Sequence, residues 1–178
     1  YSDTPYIDKF LDYLEGKKVL DIGCGVGNLT KYIFDKGFNV DGIDLSEEML
    51  NIAKRKYNDI NFYKMNMKYI ILNKKYDGIM LAYSLFHLTK QEVLEVLPKY
   101  YNLLNNNGKM LLILQCGKGE KVIDEPLKDG LKMFINYYSL EEISEVLENN
   151  NFEILYTDFK NPESEFELGN EKLIIICE

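Results

Sequence analysis

With 178 residues, 46% of them hydrophobic and 28% charged, the chain fits one folded domain and excludes a disordered segment or a pair of full domains. The formal net charge of −8 sits in the second half: residues 91–178 carry 8 Lys/Arg against 17 Asp/Glu, residues 1–90 carry 13 against 12. Such acidity disfavours a nucleic-acid partner, which is held largely by Lys and Arg displacing counterions.

The elements follow in chain order. Ile7, Phe10, Leu11 and Leu14 lie on one face of a helix over 6–14, and the apolar run 18–22 then reads as a strand that ends in glycines. Leu29, Ile33 and Phe34 give the next helix its stripe, and Gly37 stops it before a strand over 38–44. Ser46 caps a third helix, in which Glu47 and Glu48 suit the positive dipole end and Met49, Ala53 and Tyr57 repeat every fourth residue. Strands are expected over 60–65 and 76–82. Thr89 and Glu92 form a capping box for a helix whose inward face is Val93, Leu97, Tyr100, Tyr101 and Leu104.

Asn105 to Gly108 turn the chain into a strand over 109–116, and Ser139 with Glu142 repeats the capping box for a helix facing inward through Ile143, Val146 and Leu147. Strands over 152–159 and 173–177 flank a polar hairpin tip at 161–170. Residues 117–138, with Glu120, Asp124, Glu125, Pro126, Phe134, Tyr137 and Tyr138, read as one long irregular connection and a possible substrate-side insertion in a single domain spanning 1–178. Alternation of strands and helices predicts an α/β parallel sheet with helices on both faces. Cys24, Cys116 and Cys177 form no close pair, which fits a reducing, cytoplasmic compartment, and no apolar run reaches the ~20 residues that span a bilayer.

Chemistry concentrates after the first strand. Gly23, Gly25 and Gly27 allow a tight turn and close approach of a ligand to the backbone. Asn28 breaks the Gly-x-Gly-x-x-Gly spacing that cradles a pyrophosphate, and Asp21 stands where a dinucleotide-binding strand carries an apolar residue. A ligand with an ammonium and no phosphates fits better, so a nicotinamide oxidoreductase ranks lowest. Asp44, closing the second strand, is placed to accept hydrogen bonds from both hydroxyls of a ribose.

These features resemble the class I S-adenosylmethionine-dependent methyltransferases over nearly the whole chain. Val19 to Gly27 looks like that family's first motif, Asp44 its second-strand acid, Leu45 to Leu50 the stretch after it, and Tyr76 to Ile79 and Leu103 to Leu114 the fourth- and fifth-strand motifs. The resemblance implies a doubly wound, Rossmann-like, seven-stranded and mostly parallel sheet with an antiparallel last strand. It also implies S-adenosylmethionine as cofactor, with the backbone at Gly23, Gly25 and Gly27 and the Ala82 carbonyl around its methionine part and Asp21 placing its amino group directly or through water. Leu45 and Met67, with Met49 beside them, would enclose the adenine; Asn66, where many members have Asp, would face its exocyclic amine.

Methyl transfer needs mainly an aligned donor and acceptor, and a base only if the acceptor arrives protonated. His87, the one histidine, and Tyr138 are the catalytic candidates; Tyr6, Tyr83 and Tyr137 are further aromatic candidates for the pocket wall. No Asn/Asp-Pro-Pro-aromatic motif follows the fourth strand and no acidic or histidine cluster suggests a metal. Elimination leaves a small-molecule acceptor methylated without a metal. Transfer to RNA or protein, and a cofactor-binding regulator without turnover, are the other readings.

Overall fold

The computed structural model describes residues 2–124, 130–163 and 168–178. Helix α1 (Thr4–Asp12) precedes strand β1 (Lys18–Ile22), and α2 (Asn28–Asp35), β2 (Asn39–Asp44), α3 (Glu47–Lys56), β3 (Asn61–Lys64) and β4 (Tyr76–Ala82) alternate after it. A 3-10 turn over Leu85–His87 leads to α4 (Lys90–Leu103) and β5 (Leu104–Gln115). Next come β6 (Gly119–Asp124), β7 (Lys132–Tyr137), α5 (Leu140–Glu148), β8 (Ile154–Lys160) and β9 (Lys172–Cys177).

Seven strands form one sheet in the order β3-β2-β1-β4-β5-β9-β8, and β1 to β5 pair in parallel. Strand β9 runs antiparallel to both β5 and β8, as the resemblance implied. Inner strands are buried on both faces, which is why Met110 to Leu114 read as an unbroken apolar run. Side chains alternate between two cores. Leu20, Ile79, Leu112 and Ile175 pack with Val93, Leu97 and Ile143 of α4 and α5, while Val19, Met80, Leu111 and Ile174 pack with Ile7, Phe10, Ile33 and Leu50 of α1 to α3.

Several expectations change in detail. The core side of α3 is Leu50 and Ala53, and Met49 is half exposed, because the every-fourth spacing follows an adjacent face of the helix. On α4 the inward residues are Val93, Val96, Leu97 and Tyr100, while Tyr101 is exposed and Leu104 already belongs to β5. The pairing of β5 with β4 jumps from Tyr76↔Leu104 to Gly78↔Lys109, so 105–108 bulge out with Asn107 at φ 59°. Thr89 and Glu92 make both bonds of a capping box, whereas Ser139 receives the Glu142 N–H and the Glu142 carboxylate pairs with Lys90 instead.

The stretch 117–138 is the largest correction. It is a hairpin: β6 and β7 pair antiparallel from Gly119↔Tyr137 to Asp124↔Lys132 as a separate two-stranded sheet. Glu125 and Pro126 lie outside the described residues, as do 164–167 of the expected hairpin tip between β8 and β9. None of the described helices is long and apolar enough to cross a membrane.

Candidate active site

In an open parallel sheet, ligands bind outside the carboxyl ends of the strands where the strand order reverses. Here the order reverses between β1 and β4. A cavity of about 560 Å³ opens there, within the ordinary size of small-molecule sites. Its walls come from the turn after β1, the end of β2, the loop after β3 and the segment after β4.

The turn after β1 is fixed by its backbone. Gly23 (φ 80°) and Cys24 both donate their N–H to the Ile43 carbonyl, at 2.8 and 3.0 Å, binding the turn to the neighbouring strand. A Cβ on Gly23 would come within 2.4 Å of the Ser84 Cβ, so this position requires glycine on space as well as on φ. Ser84 Oγ donates to the Ile22 carbonyl at 2.6 Å and thereby joins the two strand ends at the switch point. Tyr83, on the cavity wall, is held at φ 61°, a left-handed conformation costly for an aromatic residue.

Asp44 closes β2 with its carboxylate oriented by two backbone donors. Gly25 N–H reaches Oδ2 at 2.8 Å and Ser46 N–H reaches Oδ1 at 2.8 Å. Each oxygen therefore keeps acceptor capacity toward the cavity, the arrangement that a vicinal diol can occupy. Beyond Asp44, Leu45 is 64% exposed and Met49 44% exposed at the rim, apolar surface available to a flat ring. Asn66, Met67 and Lys68, in the loop after β3, also line the cavity and are anchored to α4 by Tyr100 Oη donating to the Met67 carbonyl at 3.1 Å and by the Lys68–Glu92 ion pair at 2.7 Å. The donor set is hydroxyl-accepting on one side and apolar on the other, and it suits an adenosine without phosphates.

The profile of the methyltransferase domain matches residues 19–108, half of the chain, and that stretch carries every wall just described. The chain belongs to this family. As a class I S-adenosylmethionine-dependent methyltransferase domain it is similar to an uncharacterized methyltransferase from Alkaliphilus oremlandii, 34% identical over 60% of this chain and 50% of that one. The chain spans about half the length of the curated relatives it matches first, with 50%, 46% and 49% of their lengths covered. Its fold is that of a solved S-adenosylmethionine-dependent methyltransferase from Methanosarcina mazei, with a TM-score of 0.84, 19% identity and 95% of each chain covered. A glycopeptide N-methyltransferase solved with S-adenosylmethionine superposes at a TM-score of 0.75 with 14% identity, over 98% of this chain and 86% of that one.

In this methyltransferase domain, Gly23, Gly25, Asp44, Leu45, Met49, Asn66, Met67 and His87 line one cavity, as do Tyr83 and the unforeseen Ser46, Ser84, Leu88 and Glu92. Asp21, Gly27, Ala82 and Tyr138 are not among the described residues on its wall. Asp21 is buried behind the glycine turn and accepts from Thr30 Oγ1 at 2.6 Å; burial raises its carboxyl to about 7, opposed by the Thr30 hydrogen bond and reinforced by the charge of Asp44. Tyr138 sits in the main core with its hydroxyl accepting from Asn136 Nδ2 at 2.7 Å. The Asn66 Oδ1 accepts from Lys68 N–H at 2.9 Å, so that oxygen is already half engaged in a local turn. Among the described residues no group of three or more His, Cys, Asp or Glu could hold a metal ion.

Proposed function

We propose that the domain holds S-adenosylmethionine between the glycine turn and Asp44 and directs its methyl group to a small-molecule acceptor without a metal. The observation that carries this reading is the Asp44 carboxylate, pinned by Gly25 and Ser46 and still able to accept on both oxygens. When bound, the cofactor supplies a methyl carbon made electrophilic by a sulfonium sulfur. The chain's residues then act by placement: Asp44 takes the ribose hydroxyls, Leu45, Met49 and Met67 cover the adenine, and the backbone at Gly23 and Gly25 meets the amino-acid part. Ala82 at the end of β4 and Gly27 at the foot of the turn support that part, and the buried Asp21 acts on its ammonium through the turn or a water. Fixing donor and acceptor in line can supply ~7–11 kcal/mol of barrier lowering.

A small acceptor is favoured over RNA by the acidity of residues 91–178, with 17 Asp/Glu against 8 Lys/Arg. The deciding experiment incubates the protein with methyl-labelled S-adenosylmethionine and cell extract and separates macromolecules from metabolites. Label in the small-molecule fraction is expected. Label confined to macromolecules rejects a small acceptor, and failure of S-adenosylhomocysteine to bind in calorimetry rejects the cofactor reading itself.

A further inference from the structure

Three polar contacts tie the β6–β7 hairpin to the segment after β4. The His87 Nδ1 lies 3.3 Å from the Phe134 carbonyl oxygen, Asn136 Nδ2 donates to the Leu88 carbonyl at 3.2 Å, and the Glu120 carboxylate accepts from Lys90 N–H at 2.8 Å. Phe134 and Asn136 both belong to β7, the first making its contact through the backbone and the second through its side chain. Phe86, Ile135 and Tyr137 pack beneath them, and the Phe86 ring meets His87 edge-on with centroids 4.6 Å apart.

This latch decides the chemistry of the ring. A carbonyl oxygen only accepts, so the contact is attractive when Nδ1 carries the hydrogen, and in a neutral imidazole the lone pair is then on Nε2. His87 is also on the wall of the cavity that Gly23, Tyr83 and Asp44 line. We propose that His87 is the general base of the transfer, held by the Phe134 carbonyl as the Nδ1–H tautomer, and that the acceptor is a hydroxyl or an amine arriving as its ammonium, either of which must give up a proton to be methylated. The hairpin is thereby a positioning element for the base. The inference rests on the methyl-transfer reading above.

The acceptor is a hydroxyl in the simplest case. The O–H proton passes to His87 Nε2 while the oxygen electron pair forms the new bond to the methyl carbon. The breaking C–S bond leaves its pair on sulfur, which turns from sulfonium to neutral thioether, and the imidazolium passes its proton to water. An amine that arrives as its ammonium gives an N–H proton to Nε2, and the pair freed on nitrogen forms the bond to the methyl carbon.

His87 is the single histidine of the chain, so its two ring nitrogens are read without overlap in long-range 1H–15N spectra of the full chain saturated with S-adenosylhomocysteine at mildly alkaline pH. A pyrrole-like Nδ1 and a pyridine-like Nε2 are expected; a major Nε2–H form overturns the proposal whatever the acceptor. In a second arm, wild type and His87→Gln are compared for S-adenosylhomocysteine release with phenol, ethanolamine and dimethyl sulfide. Any hydroxyl or amine that turns over should slow by about 10²–10⁴-fold with an unchanged KM for the cofactor, while the sulfide, which loses no proton, should not respond. Equal hydroxyl or amine rates in the two proteins also overturn it. If S-adenosylhomocysteine fails to bind, the methyltransferase reading falls; if it binds and the tautomer is wrong, this assignment alone falls. Where none of the three acceptors turns over, the tautomer decides.

Discussion

Two carboxylates near the glycine turn, Asp44 and Asp21, differ in what surrounds them, and each difference sets a measurable outcome. Asp44 faces the cavity with one backbone N–H on each oxygen. Removing it strips acceptors from the ligand and from the Gly25 and Ser46 amides together. Asp44→Ala should therefore weaken S-adenosylhomocysteine binding by about 1.5–3 kcal/mol, the range for hydrogen bonds to a charged group, read by titration calorimetry. Unchanged affinity would remove Asp44 from the site. Asp21 is enclosed, and its carboxyl stands at about 7 in the fold against an ordinary 3.8 in the unfolded chain. Between those values the folded state holds a proton that the unfolded state lacks. Its stabilising effect is complete below the unfolded value and is lost as pH rises toward 7. Asp21→Asn keeps an acceptor for Thr30 and removes the titration, so the variant should gain on the wild type by up to about 4 kcal/mol between acid and pH 7 in urea unfolding. Parallel stability curves for the two proteins would contradict this account.

At the scale of elements, the start of α4 couples local capping to the cavity. Thr89 Oγ1 accepts from Glu92 N–H at 3.2 Å, the Glu92 carboxylate accepts from Thr89 N–H at 2.9 Å, and the same carboxylate holds Lys68 of the cavity wall. Thr89→Ala should cost about 1 kcal/mol in chemical denaturation, the usual loss for an N-cap, and a change within error would show that the cap bears no weight. The sequence announces such elements when the signal is local: the Thr89–Glu92 spacing, the Ser46 cap and the apolar run of β5 each depend on neighbours within a few residues. The β6–β7 hairpin is illegible for the opposite reason. Strand β6 is exposed along nearly all of its length, so no burial alternation marks it, and its partner is fixed by Ile135 and Tyr137 packing on the distant Phe86. Met49 shows the same limit, since spacing marks a helix but not which of two adjacent faces meets the core. At the site, Asp44 and the glycines are readable because they end consecutive strands, whereas Ser84 and Glu92 join the wall only through sheet order and helix docking.

For the whole molecule, the cavity opens where the strand order reverses between β1 and β4, and the Ser84–Ile22 bond joins these strands beyond their backbone ladder. A cofactor seated there contacts the ends of β1, β2 and β4 at once, so its binding energy adds to global stability and not to one loop. A ligand that binds only the native state stabilises it by ~2.7 kcal/mol at one hundred times its dissociation constant. For a domain of this length that corresponds to a rise in Tm of about 5–10 °C. S-adenosylmethionine and S-adenosylhomocysteine should both produce it. NAD should not, because the turn breaks the pyrophosphate spacing at Asn28, whose side-chain oxygen accepts from Tyr57 Oη at 3.0 Å, and because the Asp44 carboxylate stands against the turn, where a diphosphate would add two more negative charges. A shift with NAD equal to that with S-adenosylhomocysteine would mean that the turn tolerates a diphosphate, and the assignment of the ammonium-bearing ligand to it would fail with the same measurement.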